Sequence, residues 1–144
     1  MATRSRIGLE LSDGSILSAY SHWDGYPEWM GRILRTHYNT KEKVAELIDG
    51  GDMSSPWTED RFSIDPTHGW KVQEYGPQYY SQRGENRPPR LDATLIDDYL
   101  LGENNEEFAY LFTRYNKWVC YNMNQFDDTK LPEVVEIPSG ALAV

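Results

Sequence analysis

The chain has one cysteine, a shortage of basic residues and no long apolar run. Because Cys120 is alone, no disulfide can form within the chain, which fits a reducing compartment. Lysine and arginine number 14 against 23 acidic residues, and the net charge of −9 argues against general binding to nucleic acid, which needs a basic face. No run approaches the length of a membrane span, and no basic start precedes an apolar stretch as in signal peptides. We therefore expect a cytoplasmic protein that binds neither membranes nor nucleic acid.

The sequence does contain enough apolar and aromatic residues for one folded domain. Its 144 residues match the usual size of one domain, and 13% of them are aromatic, a proportion that disordered chains lack. We expect a single globular domain over 1–144 with a flexible tail at about 138–144. The surplus of aromatic residues also suggests a homo-oligomer, in which a second copy covers them.

The first 20 residues predict a β-hairpin. Apolar residues alternate with other residues on both sides of an Asp-Gly pair at 13–14, which is a strong hairpin signal. A two-residue loop there pairs Leu11 with Ile16 and Ile7 with Tyr20. One face of this hairpin is then apolar and needs helices to cover it.

Two helices are predicted directly after the hairpin. Pro27 suits a first helical position, and apolar residues recur at helical spacing from there to Tyr38. Thr40 suits the N-cap of a second helix, which the glycines at 50–51 end. We interpret 52–69 as an ordered loop.

The second half of the chain predicts more strands and a third helix. The predicted elements are a strand at 70–75, an irregular loop at 76–90, a helix at 91–101, a hairpin at 108–123 and an edge strand at 133–137. Together, the elements predict an α+β fold, with an antiparallel sheet of about four to six strands and two or three short helices packed on one face.

The segment where the first hairpin ends and the first helix begins is the first candidate binding site. Such a junction offers free backbone N–H groups beside polar side chains. Its candidate residues are His22, Trp23, Asp24, Tyr26 and Trp29. An imidazole suits acid–base work at neutral pH, and Asp24 is placed to orient His22 or to act as a base. Simple turn chemistry is the structural alternative, and we favour core packing for the two tryptophans.

The loop at 76–90 is the second candidate, because long loops in compact domains are often functional. Its candidate residues are two tyrosines and three arginines: Tyr79, Tyr80, Arg83, Arg87 and Arg90. Arginine beside aromatic rings holds phosphates and stacks on bases. The alternative is that the arginines keep a proline-rich loop solvated. If both candidate segments are functional, they form either a pocket for a nucleotide-like ligand or an aromatic patch for a protein partner.

The sequence lacks motifs for metal, cofactor or covalent chemistry. The three histidines, His22, His37 and His68, do not have the spacing of a zinc site, and Cys120 falls in a predicted strand, where a buried, inert thiol is expected. We find neither a nucleophile elbow nor a phosphate or dinucleotide fingerprint. We therefore predict no metal, no cofactor and no catalytic residue. The alternative is a small hydrolase or nuclease-like enzyme that uses His22 and Asp24, with or without a metal.

Short stretches between residue 5 and about residue 55 form a recognisable pattern. They are SRIGLEL, DGSI, HWDGYPE, Gly31, Leu34, HYNT, KV and GDMSS. This pattern resembles a group of small uncharacterised proteins of tailed bacteriophages. The resemblance implies a phage protein that acts in the host cytoplasm, in host takeover or counter-defence, and it supplies no site residues.

We therefore expect a non-enzymatic binding protein that contacts a host protein or sequesters a nucleotide-like signal. Tyrosine, tryptophan and arginine suit both uses, and all three are common anchors at protein interfaces. A virion-associated structural protein is the remaining alternative.

Overall fold

The structure is a computed structural model that describes residues 3–64, 66–69, 71–102, 105–127 and 129–138. The predicted flexible tail at 138–144 lies outside these residues except for Pro138. The described residues form an α+β fold, which confirms the predicted class. Among them, no helix is both long enough and apolar enough to cross a membrane.

The sheet is larger than predicted, and it is mixed rather than antiparallel. The strands of the described residues are, in chain order, β1 (Ser5–Glu10), β2 (Ile16–Ser21), β3 (Met53–Ile64), β4 (Lys71–Tyr79), β5 (Arg90–Asp92), β6 (Phe108–Phe112), β7 (Trp118–Asn122) and β8 (Glu133–Val135). Their order in the sheet is β4-β3-β2-β1-β6-β7-β8, and β5 pairs with β2 beside that path.

Parallel pairing of β1 with β6 makes the sheet mixed. The β1–β2 and β6–β7 hairpins are antiparallel as predicted, but they join through β1 and β6, where Ile7 and Tyr110 are register partners. A second parallel contact joins β2 to β3 at Ser21 and Met53. Hydrophobic alternation predicts strands and hairpins, whereas the pairing of distant segments has no local signal.

The first hairpin has a longer loop and a different register from those predicted. Ile7 pairs with Ala19, so the predicted pairing of Ile7 with Tyr20 is wrong. The backbone at 11–15 closes the loop through a 2.8 Å N–H···O hydrogen bond between its first and last residues. Tyr20 consequently lies opposite Arg6, on the face of the sheet away from Ile7.

Helices cover the face of the sheet on which Ile7 lies. A π-helical turn, Pro27–Gly31, continues into α1 (Arg32–His37), and α2 (Lys41–Asp49) follows. The hydroxyl of Thr40 accepts a hydrogen bond from a backbone N–H in the first turn of α2 (3.2 Å), which confirms the predicted N-cap. The fully buried core residues on this face include Ile7, Met30, Ile33, Leu34, Val44, Ile48, Met53 and Tyr110.

A further helical segment packs on the opposite face, so the prediction of helices on one face only is wrong. This π-helical segment, Leu95–Leu100, buries Tyr99, whose hydroxyl donates to the carbonyl of Tyr110 (2.6 Å). Nearby, the guanidinium of Arg6 forms a buried ion pair with Glu106 at 3.0 Å. Successive side chains of a strand point to opposite faces, and β6 is apolar on both, so both faces need cover.

Two segments that the sequence predicts as loops are largely ordered elements. The interpretation of 52–69 as a loop is wrong, because β3 fills most of it and pairs with β4. The strand predicted at 70–75 is confirmed, but it extends to Tyr79 and is followed by a 3-10 turn, Tyr80–Arg83, which leaves 84–89 irregular. Register shifts between β3 and β4 interrupt the alternation that would have revealed a long hairpin.

The elements predicted after residue 90 are mostly confirmed. The hairpin at 108–123 and the edge strand at 133–137 correspond to β6–β7 and β8. The helix predicted over 91–101 starts only at Leu95, because the chain first pairs with β2 as β5.

We expect Ile7→Ala to destabilise the protein by about 2–5 kcal/mol. The side chain of Ile7 is fully buried between the sheet and the helices, and its truncation leaves a cavity. Urea unfolding followed by circular dichroism measures this loss. Leu91→Ala is the matched control, since Leu91 is 63% exposed. Equal losses in the two variants would contradict the assigned core.

Candidate functional site

Asp52 holds four segments together where β2 ends. Its Oδ1 accepts a hydrogen bond from the backbone N–H of Tyr20 (3.0 Å), and its Oδ2 lies 3.2 Å from Nε of Arg87. Its backbone N–H donates to the carbonyl of Arg87 (2.9 Å), and its carbonyl accepts from the N–H of Tyr80 (3.1 Å). One residue thus connects β2, the end of α2, the 3-10 turn and the segment at 84–89.

Gly51 allows this close approach. Its φ of +84° lies in the left-handed region that glycine adopts without strain. A Cβ at this position would lie 2.2 Å from the carbonyl oxygen of Arg87, so any other residue would displace the segment that carries Arg87. The glycine predicted only as a helix stop therefore also positions a candidate functional loop.

Aromatic rings surround the side chain of Arg87. Its guanidinium carbon lies 4.7 Å from the ring centroid of Tyr80 and 5.8 Å from that of Tyr20, within the range of cation–π attraction. The Tyr20 hydroxyl and Nδ1 of His22 share a 2.7 Å hydrogen bond. The His22 ring packs edge-on against Trp23, with centroids 4.7 Å apart. We call these residues the Arg87 cluster: Tyr20, His22, Trp23, Asp52, Tyr80 and Arg87.

Tyr20 is partly buried within this cluster, whereas Tyr80 is 6% exposed. Burial raises the pKa of Tyr20 to about 12, and the neighbouring Tyr80 adds to the shift. Tyr20 therefore keeps its proton at neutral pH, and the guanidinium of Arg87 lies beside the carboxylate of Asp52. Trp23 is 48% exposed, so the prediction that it packs in the core is wrong.

The structure brings together part of the two predicted segments and separates the rest. Of the first segment, Asp24 is exposed at a φ of +54°, Tyr26 lines a different cavity, and Trp29 is partly buried against the core. Asp24 was predicted to orient His22 or to act as a base, whereas Nδ1 of His22 is hydrogen-bonded to the Tyr20 hydroxyl.

The structure also separates the predicted residues of the second segment from one another. Tyr79 is tied to α2, since its hydroxyl donates to the carbonyl of Leu47 (2.6 Å). Arg90 forms an ion pair with Asp92 at 2.9 Å on β5. The side chain of Arg83 lies outside the described residues. Only Tyr80 and Arg87 of this segment belong to the Arg87 cluster.

Two members of the cluster, Tyr20 and Asp52, are not among the residues that the sequence predicts for a site. The predicted register turns Tyr20 toward the core, whereas the observed one places it beside Arg87. Asp52 follows two glycines, which predict only the end of a helix at this position. Asp52 stands out in the sequence only as part of the stretch GDMSS, which belongs to the pattern that resembles phage proteins.

Tyr26 lines a cavity of about 420 Å³ at the start of β6. Phe108 and Phe126 form its apolar wall, and Glu107 and Asp127 lie at its edge. It shares no lining residue with the Arg87 cluster, so the two are separate surface features.

His37 packs against an aromatic ring and belongs to no metal-binding group in the described residues. Its ring stacks on that of Trp57 with centroids 3.7 Å apart and planes 9° from parallel. Burial lowers the pKa of His37, and the charge of Lys43 lowers it further. In the described part of the chain, no group of three or more His, Cys, Asp or Glu side chains is placed to hold a metal ion.

Comparisons with known proteins add no relative. No protein-family model matches this chain, and neither the curated proteins nor the solved structures give a match.

We expect Gly51→Ala to cost more stability than Gly14→Ala. Both glycines have left-handed backbones, with φ of +84° and +87°, so both variants carry similar backbone strain. A Cβ at Gly14 meets nothing within 4 Å, whereas one at Gly51 meets the Arg87 carbonyl. Urea unfolding of both variants measures the difference. Equal costs would show that the contact with Arg87 contributes nothing.

Cys120 should resist thiol reagents in the folded protein. It is buried in β7, and burial raises its pKa to about 12, so the reactive thiolate is scarce at neutral pH. Labelling with a disulfide reagent should be slow in the native protein and rapid in denaturant. Fast labelling of the native protein at neutral pH would contradict this assignment.

Proposed function

We propose that this chain is a non-enzymatic binding protein of a tailed bacteriophage, and that the Arg87 cluster binds a host protein during host takeover or counter-defence. The phage context rests on the resemblance of its first third. The chemistry rests on the cluster. The site of action in this proposal is the host cytoplasm.

The observation that carries the proposal is the half-exposed ring of Trp23, which packs on His22. His22 bonds to Tyr20, and the Tyr20 ring lies near Arg87. Tryptophan, tyrosine and arginine dominate the binding energy of protein interfaces. Tyr115 and Phe126 are more exposed, at 75% and 82%, but neither is backed by such a cluster. A patch that combines these residue types supports recognition better than isolated exposed rings do.

The cluster is also held in a fixed arrangement, which favours binding. The backbone N–H of Trp23 donates to the carbonyl of Ser54 (3.0 Å), and the N–H of His22 donates to that of Met53 (3.2 Å). Asp52 holds Arg87 through an ion pair and Tyr20 through a hydrogen bond from its backbone N–H. Side chains that are already ordered lose little conformational entropy when a partner binds.

A protein partner fits this surface better than a small ligand does. Small molecules bind mostly in concave sites. The cavities described in the structure are lined by other residues, and none of them includes His22, Trp23 or Arg87. The cluster supports contact with an extended surface, and its exposed Trp23 ring also suits a second copy of the chain.

A nucleotide-like signal is the second candidate, because Arg87 between tyrosine rings suits a phosphate beside a stacked base.

The hydrolase alternative has one favourable observation, the short contact between Tyr20 and His22, which is suited to proton transfer. The hydrolase alternative leaves the exposed Trp23 without a role.

We expect Trp23→Ala and Arg87→Gln each to reduce capture of the host protein by at least about tenfold, because each removes an interface anchor. The measurement is affinity capture from host cells, with bound polypeptides quantified by mass spectrometry and the intact complex weighed by native mass spectrometry.

Tyr115→Ala and Arg114→Gln are the matched controls. Arg114 resembles Arg87, since it lies near a carboxylate (Glu10, 3.7 Å) and 5.9 Å from a tyrosine ring, but on the β6–β7 turn. A polypeptide retained by the wild type and both controls but lost in both cluster variants supports the proposal. Equal loss in the controls, or retention in the cluster variants, contradicts it. A nucleotide released on denaturation supports the second candidate instead.

A further inference from the structure

A cavity of about 290 Å³ lies beside the β6–β7 turn, away from the Arg87 cluster. Three separate segments contribute its polar side chains: Arg35 in the last turn of α1, Asn39 before α2, and Asn116 and Lys117 on the turn. Its apolar wall is made by Phe112 and Trp118, whose rings pack edge-on with centroids 5.2 Å apart.

The cavity differs from the others in charge. Two cationic side chains and two carboxamides line it, and no carboxylate does. Each of the other three cavities described in the structure includes at least one carboxylate, from Glu10, Glu46 and Asp49, or Glu107 and Asp127. Such a concentration of donors is unexpected in a chain of net charge −9.

Neither cation of this cavity is neutralised by the described residues. Arg35 points its guanidinium at the carbonyls of Ile137 (3.4 Å) and Pro138 (3.2 Å), which orient it without neutralising its charge. Among the described residues, neither Arg35 nor Lys117 forms an ion pair with a carboxylate.

The turn that carries the other donors is ordered. The N–H of Asn116 donates to the carbonyl of Thr113 (2.9 Å), and the N–H of Thr113 donates to that of Lys117 (2.9 Å). Asn116 has a φ of +61°, the left-handed position of a three-residue hairpin loop. The indole N–H of Trp118 donates to the carbonyl of Tyr38 (2.8 Å), which fixes the wall of the cavity against the residue before Asn39.

We infer that this cavity binds a small oxyanion, a phosphate or carboxylate group, through Arg35, Lys117 and the two asparagines. Guanidinium, ammonium and carboxamide N–H groups are the donors that such anions require, and charge-assisted hydrogen bonds are the strong ones. The volume is at the small end for ligand pockets, which suits a compact anion. This inference does not rest on the proposed function, since the two sites share no residue.

The test is a titration of the ¹⁵N-labelled full chain followed by NMR, with sodium phosphate in one arm and sodium succinate in the other, at constant ionic strength. We expect saturable shifts of the Trp118 indole signal and of the Asn116 and Lys117 amides in at least one arm. The arm that saturates at lower concentration identifies the group as phosphate or carboxylate. Shifts that grow linearly in both arms would overturn the inference.

Variants separate a built site from general attraction of anions. Arg35→Gln and Lys117→Gln should each weaken binding by about tenfold or more. Lys117→Gln leaves the Arg35 contacts with Ile137 and Pro138 intact, so it tests binding without loosening that segment. Lys130→Gln, an equal charge change at an exposed position, should leave binding unchanged. Equal weakening in all three variants would overturn the inference.

Discussion

The parallel pairing of β1 with β6 is the contact on which the rest of the fold depends. It joins two hairpins that each close locally, and it places Ile7 beside Tyr110 in the middle of the sheet. The Tyr110 hydroxyl donates to the carbonyl of Gly25 (2.7 Å), and the carbonyl of Tyr110 accepts from Tyr99 (2.6 Å). Buried hydroxyls that lose these partners incur a desolvation cost, so the contacts fix where the chain lies on both faces of the sheet.

The ion pair between Arg6 and Glu106 reinforces the same pairing. Both side chains are buried, their closest atoms are 3.0 Å apart, and Nη1 of Arg6 also donates to the hydroxyl of Ser18 (3.0 Å). Desolvation offsets much of the attraction in such a pair, so its larger effect is on specificity. A slip of one residue in β1 would turn Arg6 into the apolar core beneath the helices, away from Glu106.

Local signals in the sequence predict local structure well in this chain, and the Arg87 cluster shows where they stop. Pro27 and Thr40 mark helix starts because their effects act within one turn. The register of the first hairpin depends on whether its loop has two or five residues, and that difference moves Tyr20 from the core face to the cluster. Asp52 acts through contacts with distant segments, which no pattern around it encodes. His22, Trp23, Tyr80 and Arg87 were predicted by residue type, but their proximity depends on Tyr20 and Asp52.

The topology also keeps the two proposed binding regions apart. Ser5 of β1 pairs with Ser21 and Phe108, whereas Phe112 leads into the β6–β7 turn at the other end of the same strands. At about 3.3 Å per residue, the length of these strands separates the Arg87 cluster from the oxyanion cavity by roughly 15 Å. The Arg87 cluster and the oxyanion cavity each lie on paired strands, and they share no residue. The two proposed ligands would therefore contact opposite ends of the same strands.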